Sequence, residues 1–314
     1  MDTDLQKIII ITGPTASGKT KLAIRLAQKV GGEIISADSR QVYRGMDIGT
    51  GKDLQEYGNI KYHLIDILKA GEEFSVSKFQ AEALKVLGRI RKRGAVPIIC
   101  GGTGHYLKAL IEDYSFEEPE TDLQYTLDLE DKSREELYEE LKQLQLWEQH
   151  HWEDDSKRRI ARAIEKAKIP TKKQESQIRF QEHYLPQIYY TAPERSLLRR
   201  KIKKRLIERL EEGMVQEVEN LLQQGIPYER LERYGLEYKW VSRYVHKQIA
   251  SDHMIEKLHT EICRFAKRQV TFIRYLEKNG HSMIPITSMD TFLEEATLWL
   301  EEKTKGPTQP TLIQ

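Results

Sequence analysis

The stretch that most limits what this chain can become runs from Ile8 to Thr20. Four consecutive isoleucines, Ile8 to Ile11, have no polar alternation and read as a strand buried on both faces. Gly13 to Thr20 then fits G-x-x-x-x-G-K-[ST], with Gly13, Gly18, Lys19 and Thr20 fixed and Pro14, Thr15, Ala16 and Ser17 between them. The glycines let the backbone turn tightly and aim its N–H groups inward. Lys19 supplies a point charge for a phosphate, and the Thr20 hydroxyl suits Mg2+. Leu22, Ala23, Leu26 and Ala27 make the next stretch amphipathic, which predicts a helix over 18–29 with its positive end on the same spot. Strand, loop and helix together predict a site for a phosphate compound. They do not say which compound, or whether it is a nucleotide.

The following segments repeat the theme. Ile34, Ile35 and Ala37 predict a second strand ending in Ser36-Ala37-Asp38-Ser39, and open parallel sheets gather ligands at the carboxyl ends of their strands. Topology alone therefore brings Asp38 near the loop. Residues 40–52 are glycine-rich and too irregular for a regular element, so they read as a functional loop. Tyr62 to Ile67 is a strand candidate. Phe79, Ala83, Val86, Leu87 and Ile90 recur at helical spacing and end at Gly94. Val96 to Cys100 predicts another buried strand, feeding a second anion-suited loop at Gly101-Gly102-Thr103-Gly104. This alternation predicts an α/β fold with a doubly wound parallel sheet.

The character changes near Tyr114. Residues 115–135 are acidic, and from about residue 132 to 173 the pattern is helical and charged, so 115–185 reads as an all-helical insertion. A strand returns at Ile188 to Thr191. The helix over 194–210 carries Arg195, Arg199, Arg200, Lys201, Lys203, Lys204, Arg205 and Arg209. It serves either as a solvated face or as a cationic wall beside phosphate or RNA. Within the last long helix, Lys267-Arg268-Gln269 precedes Thr271, Phe272 and Tyr275. That pairing of basic and aromatic residues suits nucleic acid, and it suits a helix bridging two layers equally well. The domains expected are an α/β core over 1–114 and 186–300, the insertion over 115–185 and a disordered tail over 301–314.

Composition narrows the class. Lys and Arg number 50 against 49 Asp and Glu, so the net charge of +1 makes no global case for nucleic acid. Any RNA surface must be local. The two cysteines, Cys100 and Cys263, form no metal-spaced pair, and Cys100 reads as a buried thiol in a strand. No apolar run approaches the roughly 20 residues of a membrane span. The first core strand begins too early for a signal peptide. A cytoplasmic enzyme is expected, and a monomer, since no heptad seam is present.

Taken together, the motifs resemble the tRNA dimethylallyltransferases, or isopentenyl-tRNA transferases. The resemblance is carried by residues 13–20, Ser36 to Ser39 with Gln41-Val42-Tyr43, Gly45-Met46-Asp47-Ile48-Gly49-Thr50, and Tyr62-His63-Leu64-Ile65-Asp66. It continues with Gly101-Gly102-Thr103 and Tyr106, and with Ala266-Lys267-Arg268-Gln269 and Thr271, all in family order. It implies a P-loop NTPase-like parallel sheet flanked by helices. It implies transfer of a dimethylallyl group from dimethylallyl diphosphate to N6 of adenosine 37 in tRNA, with Mg2+, the loop holding the diphosphate. It further implies Asp38 as general base, with Thr103 and Arg205 acting on the leaving group; Arg205 is singled out from its basic neighbours by the resemblance alone. Asp38, Ser39, Arg40 and Gln41 would read the flipped nucleotide, and Arg159, Arg162, Gly235, Lys267, Arg268 and Gln269 would meet tRNA. For Asp38 a helix cap or an indirect Mg2+ ligand remains open.

The chain departs from the family at four places. It has Gly235-Leu236-Glu237-Tyr238 for Gly-Tyr-Lys/Arg-Glu/Gln, and Ile262-Cys263-Arg264 for Thr-Arg-Gln. Asp53 stands where proline usually does, and Glu153-Asp154-Asp155 replaces a His-Pro-Asn segment. These departures are expected on the tRNA-facing side. The alternatives are a P-loop kinase, a prenyltransferase of free adenine nucleotides, and an RNA-binding relative without activity.

Overall fold

The isoleucine run becomes the central strand of a six-stranded parallel sheet. In the computed structural model, residues 5–119, 125, 128–129, 131–155, 157–169, 171–173 and 179–302 are described. The expected tail therefore lies outside them beyond residue 302. The chain divides into two units, Met1–Asp113 with Ile178–Gln314, and Tyr114–Gln177.

In the larger unit, β1 (Gln6–Thr12), β2 (Gly32–Ser36), β3 (Tyr62–His63) and β4 (Val96–Gly101) are followed, after the smaller unit's segment, by two more strands of the same sheet. Those two span Tyr184–Tyr190 and Met283–Pro285. With the smaller unit's two short strands taking the labels β5 (Glu117–Pro119) and β6 (Thr171–Lys173), they are β7 and β8. The sheet order is β3-β2-β4-β1-β7-β8, every neighbouring pair parallel. Ile8 and Ile10 of β1 face one layer, with Phe79, Leu87, Leu107 and Leu110. Ile9 and Ile11 face the other, with Leu22, Leu26, Tyr189 and Phe292. All four isoleucines are at most 1% exposed. Each contributes about 1.5–3 kcal/mol by burial, which is why a run with no polar position is stable here.

Helices cover both faces. α1 (Lys19–Val30) ends at Gly31, whose φ of 65° is the left-handed stop expected of glycine. α2 (Val76–Lys92) starts at Ser75, whose side chain accepts the Lys78 N–H. α3 (Gly104–Ile111) follows β4 directly.

The smaller unit corrects the all-helical expectation. It carries α4 (Arg134–Gln143), opened by a Ser133–Glu136 capping box, and α5 (Lys157–Lys168), packed through Leu137, Leu141, Ile160 and Ile164. It also contains the antiparallel ribbon β5–β6, in which Glu117 and Glu118 stand in register with Lys173 and Lys172. Such short strands carry no apolar alternation, so no sequence period marks them.

The return to the core also comes earlier than expected. α6 (Phe180–His183) and the whole of β7 belong to the larger unit, so the segment 178–185 is core rather than insertion. Pro186 hides the strand from pattern reading. It is tolerated because β8 pairs with β7 only at 188–190, leaving that side of Pro186 without a ladder. Residues 64–67, read as part of a strand, lie outside β3, and positive φ at Leu64 and Asp66 ends the extended run.

A helical cluster then covers the carboxyl ends of the strands. It comprises α7 (Arg195–Glu211), α8 (Met214–Gln223), α9 (Tyr228–Leu231), α10 (Leu236–Val245) and α11 (Ser251–Lys278), and it buries Val42, Tyr43 and Met46 of the irregular loop. α12 (Met289–Glu301) packs on α1. No helix among the described residues is long and apolar enough to cross a membrane.

Candidate active site

The site forms where strand ends meet. Thr12 of β1 is in register with Gly101 of β4 and Tyr190 of β7, and Ser36 of β2 with Cys100. The loops leaving β1, β2 and β4 therefore open onto one place. Gly18 adopts φ 86°, which turns the chain into α1. At Gly13 a Cβ would lie 2.0 Å from the Thr191 hydroxyl, which itself donates to Ser17 Oγ at 2.6 Å. Lys19 Nζ donates to Pro14 O at 3.2 Å, curling the side chain over its own loop. Burial pulls the Lys19 ammonium below its ordinary pKa, opposed by the Cys100 and Asp38 charges and assisted by Arg205.

A cavity of about 610 Å³ opens beside this loop. Thr15, Lys19 and Thr20 line it from the phosphate loop, Asp38, Ser39, Arg40 and Gln41 from the turn after β2, and Thr103 from the turn after β4. Arg205, Gly235, Arg268 and Gln269 reach it from the covering helices. Asp38 Oδ1 accepts the Arg40 N–H at 2.9 Å, a turn that fixes the carboxylate without a helix to cap. Thr103 Oγ1 accepts the Ser39 N–H at 3.1 Å, which leaves its own proton to give to a ligand. Burial, and then Arg209, bring the Arg205 guanidinium down to about 10, with Asp53, Glu237 and Asp38 opposing. It stays cationic at neutral pH. Cys100 is 6% exposed, and burial raises its thiol to about 11, so it is a packed thiol rather than a nucleophile.

Two of the expected RNA contacts also carry architectural bonds. Gln41, 8% exposed, accepts from Ser36 Oγ and donates to Gly51 O, tying the irregular loop to β2. Gln269, 9% exposed, accepts the Thr15 N–H at 2.8 Å and donates to Gly102 O at 3.0 Å. It clamps both glycine loops to α11. A Cβ at Gly102 would stand 2.2 Å from that amide nitrogen. Lys267 and Arg268 remain exposed on the same helix, Arg268 over the Phe265 ring. Arg159 and Arg162 lie in the smaller unit, ion-paired with Asp155 and Glu165.

The departures at 53 and 237 do not sit where they were expected. Asp53 and Glu237 line the same cavity as Lys19 and Arg205, beside the phosphate loop. Asp53 has φ 47°, a conformation closed to the proline that usually stands there. Arg209, not distinguished in the sequence from the other cations of its helix, lines the cavity at 7% exposure. A signal for it existed. Leu198, Ile202, Leu206 and Arg209 are the buried positions of α7, so Arg209 falls on the apolar stripe rather than the solvated face.

A glycine-lined phosphate loop, a carboxylate, a hydroxyl and cations around one cavity are the groups that transfer from a phosphate-bearing donor would need. The IPP transferase family model matches residues 41–276. A tRNA dimethylallyltransferase 2 of Pelobacter propionicus is 45% identical over 87% of this chain and 87% of its own length. One of the same name from Shewanella sediminis is 42% identical, covering 87% and 90%. The crystal structure of the full-length tRNA isopentenylpyrophosphate transferase of Bacillus halodurans superposes with a TM-score of 0.69 at 31% identity, covering 95% of this chain and 98% of that one. A eukaryotic dimethylallyltransferase acting on tRNA gives a TM-score of 0.71 at 26% identity, over 94% and 77%. The chain belongs to the IPP transferase family.

Proposed function

We propose that this protein transfers a dimethylallyl group from dimethylallyl diphosphate to N6 of adenosine 37 in tRNA, releasing diphosphate, as a cytoplasmic monomer. The observation that carries the reading is the meeting of Asp38, Thr103 and Arg205 with Lys19 in one cavity. The allylic C–O bond of the donor breaks and an N–C bond forms. The N6 proton passes to Asp38, whose orientation the Arg40 N–H fixes. Negative charge grows on the departing diphosphate, where loop N–H groups, Lys19, Arg205 and the Thr103 hydroxyl stabilise it.

The residues present fit Mg2+. Thr20 offers one hydroxyl, and among the described residues no cluster of three His, Cys, Asp or Glu is present that would form an all-protein cage. Mg2+ prefers such sparse sites, completing its shell with phosphate oxygens and water. Bound by Thr20 and the donor, it would neutralise charge on the diphosphate.

The acceptor base must leave its stack to reach Asp38. Ser39, Arg40 and Gly235 line the cavity where such a base would enter, and Arg40 Nη1 is held by Arg233 O at 2.9 Å. Lys267 and Arg268 supply phosphate contacts on α11, and Arg159 and Arg162 do so from the smaller unit.

The test is a transfer assay with dimethylallyl diphosphate, Mg2+ and unmodified tRNA, against free AMP as the acceptor. Alkylation of tRNA alone is expected. Product on AMP with none on tRNA, or ATP turnover on a small acceptor, would overturn the proposal.

A further inference from the structure

Two guanidiniums meet at Gly51. A Cβ placed on that residue would stand 1.8 Å from Arg209 Nη2 and 2.2 Å from Arg205 Nη2, so both side chains converge on one notch in the irregular loop. Gly51 has φ 65°, which favours glycine on backbone grounds as well. The two arginines are one turn apart on α7 and both line the main cavity. Like charges this close and this buried repel unless an anion stands against them.

The protein supplies little such compensation. A guanidinium has five N–H donors. Among the described residues Arg205 has no hydrogen bond or ion pair to another side chain. Arg209 has one, to Asp53 Oδ2 at 3.4 Å, long for a charge-assisted bond. Glu237 acts on both from further away, and burial holds its own carboxyl above the ordinary range. A pair of under-bonded guanidiniums fits a ligand with several anionic oxygens, which can take two N–H forks at once.

We propose that Arg209 is a second diphosphate-binding arginine, set beside Arg205 by the Gly51 notch and paired only at long range with Asp53. The inference rests on the reading of the phosphate loop as a diphosphate site. The bound donor takes N–H donors from Arg205 and Arg209 on one side and from the phosphate loop on the other. Asp53 then competes with the ligand: its long pairing with Arg209 is given up when the diphosphate takes those donors, while the Gly51 notch keeps Arg209 in the cavity.

The test is calorimetric binding of inorganic diphosphate with Mg2+ to the wild type, R209Q, R209K and D53N. Steady-state KM for dimethylallyl diphosphate and tRNA affinity are measured alongside. R209Q is expected to weaken diphosphate binding at least tenfold and to raise donor KM in step, with tRNA affinity unchanged. R209K should recover part of the loss, and D53N should bind diphosphate more tightly than the wild type. A folded R209Q with wild-type diphosphate affinity overturns the proposal. Should R209Q fail to fold, a D53N affinity equal to the wild type overturns it instead. A wild type that binds no diphosphate overturns the donor reading and this inference together, a result distinct from equal binding by wild type and variant.

Discussion

Asp38 commits one oxygen to the Arg40 N–H, and among the described residues its other oxygen has no hydrogen bond. Asn at this position preserves the accepting oxygen and removes the base. D38N should therefore lower kcat by roughly 10²–10⁴, the usual worth of a general base, with donor KM unchanged. Single-turnover transfer and donor binding measured on the same preparation check this. A collapse of donor affinity at a normal rate would make Asp38 a metal-side or structural residue. That Asp38, Thr103 and the loop would meet at one place was legible because each follows an apolar strand of a parallel sheet, and they line one cavity. The loop-clamping role of Gln269 was not legible because the sequence shows it beside two cations, whereas α11 turns it inward and leaves Lys267 and Arg268 exposed. Arg209 was lost among eight cations on one helix, where charge masks the stripe that buries it.

At the scale of elements, strong apolar periods were read well and short or polar pieces were not. β1, β2 and β4 are each built on consecutive isoleucines. β8 has three residues and is stabilised by its place beside β7 rather than by its own pattern. The irregular loop is fixed by side-chain bonds, some within it and some from far along the chain. Lys52, fully buried, donates to Tyr43 O and pairs with Asp47 and Asp66. Glu217 accepts the N–H groups of Asp47, Ile48 and Gly49 and the Tyr238 hydroxyl. No local period encodes such long-range bonds.

The sheet edge carries a comparable clamp with a measurable pH signature. Glu33 of β2 accepts from Arg93 at 2.6 Å and meets His63 Nε2 of β3 at 2.7 Å. Burial alone would raise its carboxyl, but the Arg93 and His63 hydrogen bonds outweigh that and hold it below the ordinary value. A depressed carboxyl contributes stability that is full above its unfolded pKa and is lost as pH falls through the folded one. E33Q should thus cost about 1–2 kcal/mol near neutral pH, moderated by the partial exposure of Arg93. The gap to wild type should close as the pH falls through the lowered folded value of the carboxyl. Urea unfolding at a series of pH values reads it directly, and a gap constant across that range would remove Glu33 from the acid limb.

For the whole molecule, near-neutral charge and an RNA substrate are compatible because the cations are not equally available. Lys267 and Arg268 are exposed on the larger unit, and among the described residues neither is in an ion pair. Arg162 pairs with Glu165, whose side chain is 4% exposed, and Arg159 with Asp155, at 8%. A phosphate reaching either arginine must compete with a carboxylate already desolvated, so the net gain is smaller than for a solvated cation. Binding of an anticodon stem-loop should weaken with salt in proportion to the phosphates contacted, by about 0.7–0.9 in logarithmic slope for each. K267A with R268A should flatten that slope by one to two such steps. R162A should flatten it less than either of those single changes. Fluorescence anisotropy between about 50 and 200 mM salt resolves these differences. A slope unchanged in the 267/268 double variant would make that face of α11 a solvated surface, and an R162A effect as large as R268A would mean that tRNA displaces Glu165 at little cost.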